Sequence, residues 1–225
     1  DNSDFDYARD RVVMGAERKD LIVASERRRI ACHEAGHALA AFYTEHSDPL
    51  QRVTIIPHGR ALGMTEQMPE EERHNLVEDY LHDRLIILLA GRGAEKQLFK
   101  SSSSGAADDL QQATQLARHM VMNWGMSEAL GPVGYRSGEA HPFLGMELSE
   151  PKEFSEATAE LIDTEVRGLL CQAETKMTQL LSSHRDKLQQ LIDALLEHES
   201  LDREQINQLL GDPLTELKIS EPSGA

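Results

Sequence analysis

The sequence predicts a mainly α protein with a small β-sheet. Three observations carry that expectation. Aromatic residues are only 4% of the 225-residue chain, so the core rests on Leu, Ile, Val, Met and Ala, which suits helices better than a β-sandwich. Long stretches space their apolar residues at helical intervals, as Leu170, Ala173, Met177, Leu180 and Leu181 do. One region alone, residues 52–68, reads as paired strands between prolines.

Taken in order, residues 5–19 place Phe5, Ala8, Val12 and Ala16 on one helical face. Ser25 offers an N-cap for a helix over 26–44, and Pro49 stops any continuation. Residues 52–56 form a strand ended by Pro57, residues 58–60 a turn, and residues 61–68 a second strand ended by Pro69. A long helix over 73–99 follows. Gly91 and Gly93 fall inside it, where each costs about 1 kcal/mol relative to Ala, so close approach of another helix is the expected reason. Ser101 to Ser104 with Gly105 make a flexible loop before a helix over 107–123, which Gly125 ends. Residues 125–154 read as an irregular connection, 155–210 as helical, and 212–225 as a loose tail.

A net charge of −16, from 23 basic and 39 acidic side chains, disfavours nucleic acid and anionic lipid. The two cysteines, Cys32 and Cys171, form no disulfide framework, which fits a reducing compartment. The longest strongly apolar run, residues 85–90, is far below the roughly 20 residues that a bilayer requires. The opening Asp1-Asn2-Ser3-Asp4 has no initiator Met and reads as the cut end of something longer.

Chemistry concentrates in His33-Glu34-Ala35-Gly36-His37. Four residues apart on a helix, His33 and His37 share a face and can bind one Zn²⁺. Glu34 is then placed to take a proton from water and deliver it to a leaving amine. Cys32, about 100° around the helix from its neighbour, points elsewhere and reads as core. The surrounding helix, with Ala31, Ala38, Leu39, Ala40, Ala41 and Phe42, is apolar on most sides and should be buried. Gly36 within it needs a packing reason. A third ligand is required. A His ten residues after the motif start is absent, because that position is Tyr43. Asp108 and Asp109, after the flexible loop, are candidates, although acids opening a helix also serve its dipole. Glu66, Glu95 and Glu70-Glu71-Glu72 compete, and spacing leaves the choice open.

The sequence resembles the peptidase domain of FtsH-type membrane-anchored AAA proteases. Besides the histidine motif, the likeness rests on Val13-Met14-Gly15-Ala16-Glu17-Arg18, Val53-Thr54-Ile55-Ile56-Pro57 and Arg60-Ala61-Leu62-Gly63. It continues through Ala90-Gly91-Arg92, Ala94-Glu95, Ser104-Gly105-Ala106, Asp109-Leu110, Ala113-Thr114, Trp124-Gly125-Met126-Ser127, Leu130-Gly131-Pro132, Phe143-Leu144-Gly145 and Ile162-Asp163-Glu165-Val166. It covers residues 5–210 in order. Ala90 departs from the family's first Gly, Lys96 from its second Glu and Asp108 from its usual Asn, and the loop before Gly105 is short and serine-rich.

The resemblance implies the helical zinc-peptidase fold of AAA proteases, with Asp109 as third zinc ligand beside His33 and His37, Glu34 as catalytic base, and Glu95 supporting the histidines. It implies a zinc endopeptidase that degrades unfolded or misassembled proteins, works in a homo- or hetero-hexameric ring, and is fed by an ATP-consuming AAA module outside this chain. It further implies anchoring through segments elsewhere, in a bacterial inner, mitochondrial or plastid membrane, with this portion soluble. Residues 1–24 would be the link from the ATPase, 25–211 the peptidase domain and 212–225 a flexible tail. The strand over 61–68 would receive an extended substrate by strand addition.

Overall fold

The helix that carries His33 and His37 is apolar on most sides, and it lies at the centre of the fold. The computed structural model describes residues 22–58, 61–69, 75–135 and 154–211. In it, α1 (Ala24–Tyr43) buries every residue from 34 to 41 together with Ala31 and Cys32. Ser25 falls inside this helix rather than capping it. The Arg27 N–H already donates to the Val23 carbonyl at 2.9 Å, which starts the helix two residues earlier than predicted.

Against α1 lies α2 (Glu78–Phe99). Its predicted start at residue 73 is corrected to Glu78, because Val77 is extended and the acidic pair Glu78 and Asp79 opens the first turn. Lys100 ends it in a left-handed conformation, φ 56°. The two helices touch through backbone. A Cβ on Gly36 would stand 2.6 Å from the Ala90 carbonyl oxygen and 2.7 Å from the Ala94 Cβ. Gly93 is pressed in the same way by the Met177 side chain. The glycines thus mark close approaches, as expected from their unfavourable helical positions.

A short 3₁₀ turn, Ser104–Ala106, leads into α3 (Ala107–Met122). Gly125, at φ +65°, turns the chain just past its end. The helical run predicted over 155–210 is broken into α4 (Glu156–Ser183), α5 (Arg185–His198) and α6 (Arg203–Leu210). Ser155 caps α4 by accepting from the Thr158 N–H, and its stripe of Ile162, Val166, Ala173, Met177 and Leu181 is buried. On this helix Glu174 accepts from Arg92 and Lys96 of α2, and although burial opposes it, these cations hold its carboxyl below the usual range.

Between α5 and α6, Glu199 turns left-handed at φ 63° and Ser200–Asp202 forms a strand, β3, that the sequence reading missed. A three-residue strand shows no period. It is specified by its partner β1 (Leu50–Thr54) and by the capping box in which Asp202 and Gln205 close the start of α6. The second predicted strand shortens to β2 (Met64–Gln67). Sheet order is β2-β1-β3, antiparallel throughout, so β2 lies at an edge. The register places Val53 opposite both Thr65 and Leu201. Val53 and Leu201 are fully buried, which turns Thr65 towards α1.

The predicted helix over 5–19, residues Gly59 and Arg60 of the turn, the run Glu70-Glu71-Glu72, the middle of the connection over 125–154 and the tail over 212–225 lie outside the described residues.

Gly36→Ala tests the helix contact. Helix propensity alone would stabilise by about 1 kcal/mol. Forcing a methyl against the Ala90 carbonyl should cost about 1–3 kcal/mol, so a lowered urea midpoint is expected; a raised one would contradict the close approach.

Candidate metal centre

His33 and His37 stand one turn apart on α1 with their rings edge to face, centroids 4.7 Å apart. The partners of their outer nitrogens determine what the inner ones present. The Ile87 carbonyl on α2 can only accept, so the His37 Nδ1–H donates to it at 2.7 Å. The His33 Nδ1–H donates to Glu95 Oε1 at 2.9 Å. Both Nε2 atoms of the neutral rings are therefore bare lone pairs, and they face each other at 3.1 Å.

A third acceptor joins them. Asp109 Oδ2, in the first turn of α3, lies 3.0 Å from His33 Nε2 and 3.3 Å from His37 Nε2. Three converging lone-pair atoms repel one another unless a cation lies among them. Without a metal, a proton must serve. Burial opposes charge on His33, yet the hydrogen bond to Asp109 and the negative charges of Glu34, Glu95 and Asp109 outweigh it and raise its pKa to about 9. Asp109 is also partly desolvated, but the imidazoles of His33 and His37 beside it hold its carboxyl well below the usual carboxylate range. The three ligand atoms could hold a metal ion. A tetrahedral ion bound at about 2.0–2.1 Å requires ligand atoms about 3.3 Å apart, close to the separations found. The donor set, two imidazoles and one carboxylate, suits Zn²⁺.

The floor beneath the ligands is backbone. A Cβ on Gly91 would stand 2.5 Å from His37 Nε2 and 2.6 Å from His33 Nε2. Only glycine leaves that volume empty, which explains a helix-weakening residue in the middle of α2.

Glu95 is 1% exposed, so it is no surface charge. It meets His33 on the Nδ1 side and does not converge with the three inner atoms. Its carboxylate also accepts from Arg29 Nη1 at 2.8 Å, Ser103 N–H at 2.8 Å and Ser103 Oγ at 3.0 Å. Burial works against its charge, but these donors lower its pKa on balance. Glu95 thus ties the histidine helix to the loop that delivers Asp109.

Glu34 is buried beside the ligands. Burial raises its carboxyl above the usual range, against the opposing pull of His37 and His33. Its Oε2 accepts from Thr65 Oγ1 of β2 at 2.9 Å. Asp108 is exposed, and both it and Glu66 lie outside the converging group. Cys32 is fully buried, and burial, helped by the nearby Glu95 charge, pushes its thiol up to about 12, as befits a core residue. A cleft of about 590 Å³ opens over the group, lined by residues of α1, α2 and α3 and by the Ala61 to Thr65 segment.

The family model described as peptidase family M41 matches residues 20–209. This chain belongs to peptidase family M41. Among M41 relatives, a protein named ATP-dependent zinc metalloprotease FtsH from Hahella chejuensis is 52% identical over 207 residues, 92% of this chain and 33% of that protein. The FtsH 1 of Rhodopirellula baltica is 44% identical over 222 residues, 99% of this chain and 33% of that protein. The FtsH of Nitrosococcus oceani is 49% identical, over 91% of this chain and 32% of that protein. The chain thus spans about one third of the length of the M41 relatives it matches.

Sequence reasoning missed Thr65, the Ile87 carbonyl, Arg29 and Ser103. None carries a local signal, since each reaches the site from a different element. Gly91→Ala tests the floor: retained Zn²⁺, measured by atomic absorption after dialysis, should fall at least about tenfold, while the circular dichroism spectrum stays helical.

Proposed function

We propose that this chain is the zinc-dependent endopeptidase portion of a larger, ATP-driven, membrane-anchored protease. One observation carries the reading: the inner nitrogens of two imidazoles whose outer nitrogens are already engaged, and one carboxylate oxygen, all converge beside a buried Glu34. His33, His37 and Asp109 would hold the metal. When bound, Zn²⁺ supplies acidification of water and polarisation of a peptide carbonyl.

The chain's own residues do the rest. Glu34, held in the cleft wall, accepts the proton of the attacking water and returns it to the departing amine nitrogen. Burial lifts its pKa, which suits a base that must also act as an acid. Ile87 and Glu95 fix the two imidazole tautomers so that the inner nitrogens remain available. Asp109 supplies the negative charge. The edge strand β2 bounds the cleft and has β1 as its hydrogen-bonded neighbour. An extended polypeptide adding to its other edge would be read through its backbone, which fits degradation of many unfolded or misassembled proteins.

Residues 25–211 form the peptidase domain in this reading, residues 1–24 link it to an ATPase module and residues 212–225 follow it. The family match over residues 20–209 takes in nearly all of that domain. The partners are the AAA module, five further peptidase domains in a hexameric ring and unfolded substrate proteins. The names of the relatives, and the third of their length that this chain spans, support a role within a larger machine. Among the described residues no helix is long and apolar enough to cross a membrane, so anchoring falls to segments outside them.

Zinc content and cleavage of a short unstructured peptide test the reading together. Glu34→Gln should keep one zinc per chain and lose about 10²–10⁴-fold in kcat. Asp109→Ala should lose the zinc itself. A Glu34→Gln variant as active as wild type would sink the proposal.

A further inference from the structure

The base of the proposed hydrolysis is held by the sheet as much as by its own helix. Successive residues on a helix differ by about 100° in direction, so Glu34 leaves the His33–His37 face and turns towards β2. There Thr65 Oγ1 stands 2.9 Å from Glu34 Oε2 and 3.3 Å from the Glu34 carbonyl oxygen. The other carboxylate oxygen lies against the strand entry. A Cβ on Gly63 would come within 2.8 Å of Glu34 Oε1 and 2.7 Å of its Cγ. Thr65 thus holds Oε2, and Oε1 takes the space that a side chain at position 63 would fill.

Resting on the peptidase reading above, we propose that Thr65 is a positioning residue for Glu34, and that it couples the orientation of the base to the edge strand β2. The hydroxyl selects one rotamer of a side chain that otherwise has three rotatable bonds, and Gly63 leaves the space that rotamer needs. Register fixes the contact, because Val53 pairs with Thr65 and is fully buried, so a one-residue slip of β2 would turn the hydroxyl to the opposite face. Strand β2 also borders the cleft. A peptide bonding to the edge of β2 away from β1 would steady the strand that aims the base, so substrate binding and base alignment share one element.

The test compares Thr65→Val, Thr65→Ala and Thr65→Ser with wild type and Glu34→Gln, using the 225-residue chain and a short unstructured peptide. T65V and T65A should retain zinc at wild-type stoichiometry. They should keep KM within about twofold while kcat falls about 10–100-fold, and T65S should restore most of the loss. Crystal structures of the metal-free proteins give a readout independent of turnover: Glu34 should keep its carboxylate position in wild type and T65S and leave it in T65V and T65A. Full kcat in T65V, a loss confined to KM, no rescue by T65S, or an unmoved Glu34 carboxylate would each overturn the proposal. A wild type without zinc, or insensitive to Glu34→Gln, would overturn the peptidase reading instead, and the metal-free structures would still judge the Thr65 contact.

Discussion

The close crossing of α1 over α2 is the constraint on which the rest of the structure depends. Gly36 lets the Ala90 carbonyl and Ala94 come against the α1 backbone, and Gly91 lets two imidazoles lie directly on α2. At that separation the Ile87 carbonyl reaches His37 Nδ1, and Glu95, two turns further along α2, reaches His33 Nδ1. One helix contact therefore fixes the distance, ring orientation and tautomer of both histidines. A wider crossing would leave the imidazoles free to rotate and their inner nitrogens unspecified.

Charge compensation builds outward from that contact. Glu95 is buried, so it needs donors, and it finds them in His33, Arg29 and Ser103. Because Ser103 belongs to the loop before α3, the same carboxylate anchors the segment that brings in Asp109. The serine-rich loop is thus a structural strap at one position, whatever its composition suggests about mobility. Arg29 also lies over the Phe99 ring, 4.5 Å from its centroid, which secures the guanidinium from the α2 side.

Much of the site was legible from the chain, and the reasons are local. The histidine spacing is a helical fact, and the apolar residues around it announce a buried helix. Gly91 and Gly93 advertised a close contact through their cost. Between Asp108 and Asp109, by contrast, spacing could not decide, because neighbours on a helix differ only in direction and direction has meaning only against α1. Asp109 faces the imidazoles and Asp108 faces solvent. Glu95 was one of several acids that spacing could not rank until its burial and its contact with His33 became visible. β3 was invisible, being three residues long and specified by its partner strand.

What the sequence alone determined is what depends on residues near one another in the chain: helical character, the paired strands near residue 60, a two-histidine face with an acid beside it, and the resemblance to a peptidase family. Tertiary structure alone decided which carboxylate meets the two histidines, which atom of each imidazole turns towards it, and which side chain Glu34 touches. Those outcomes turn on contacts between elements far apart in sequence, such as Glu34 with Thr65 and His33 with Asp109. No local pattern encodes such contacts, because their geometry is set only when the helices cross and the sheet takes its register.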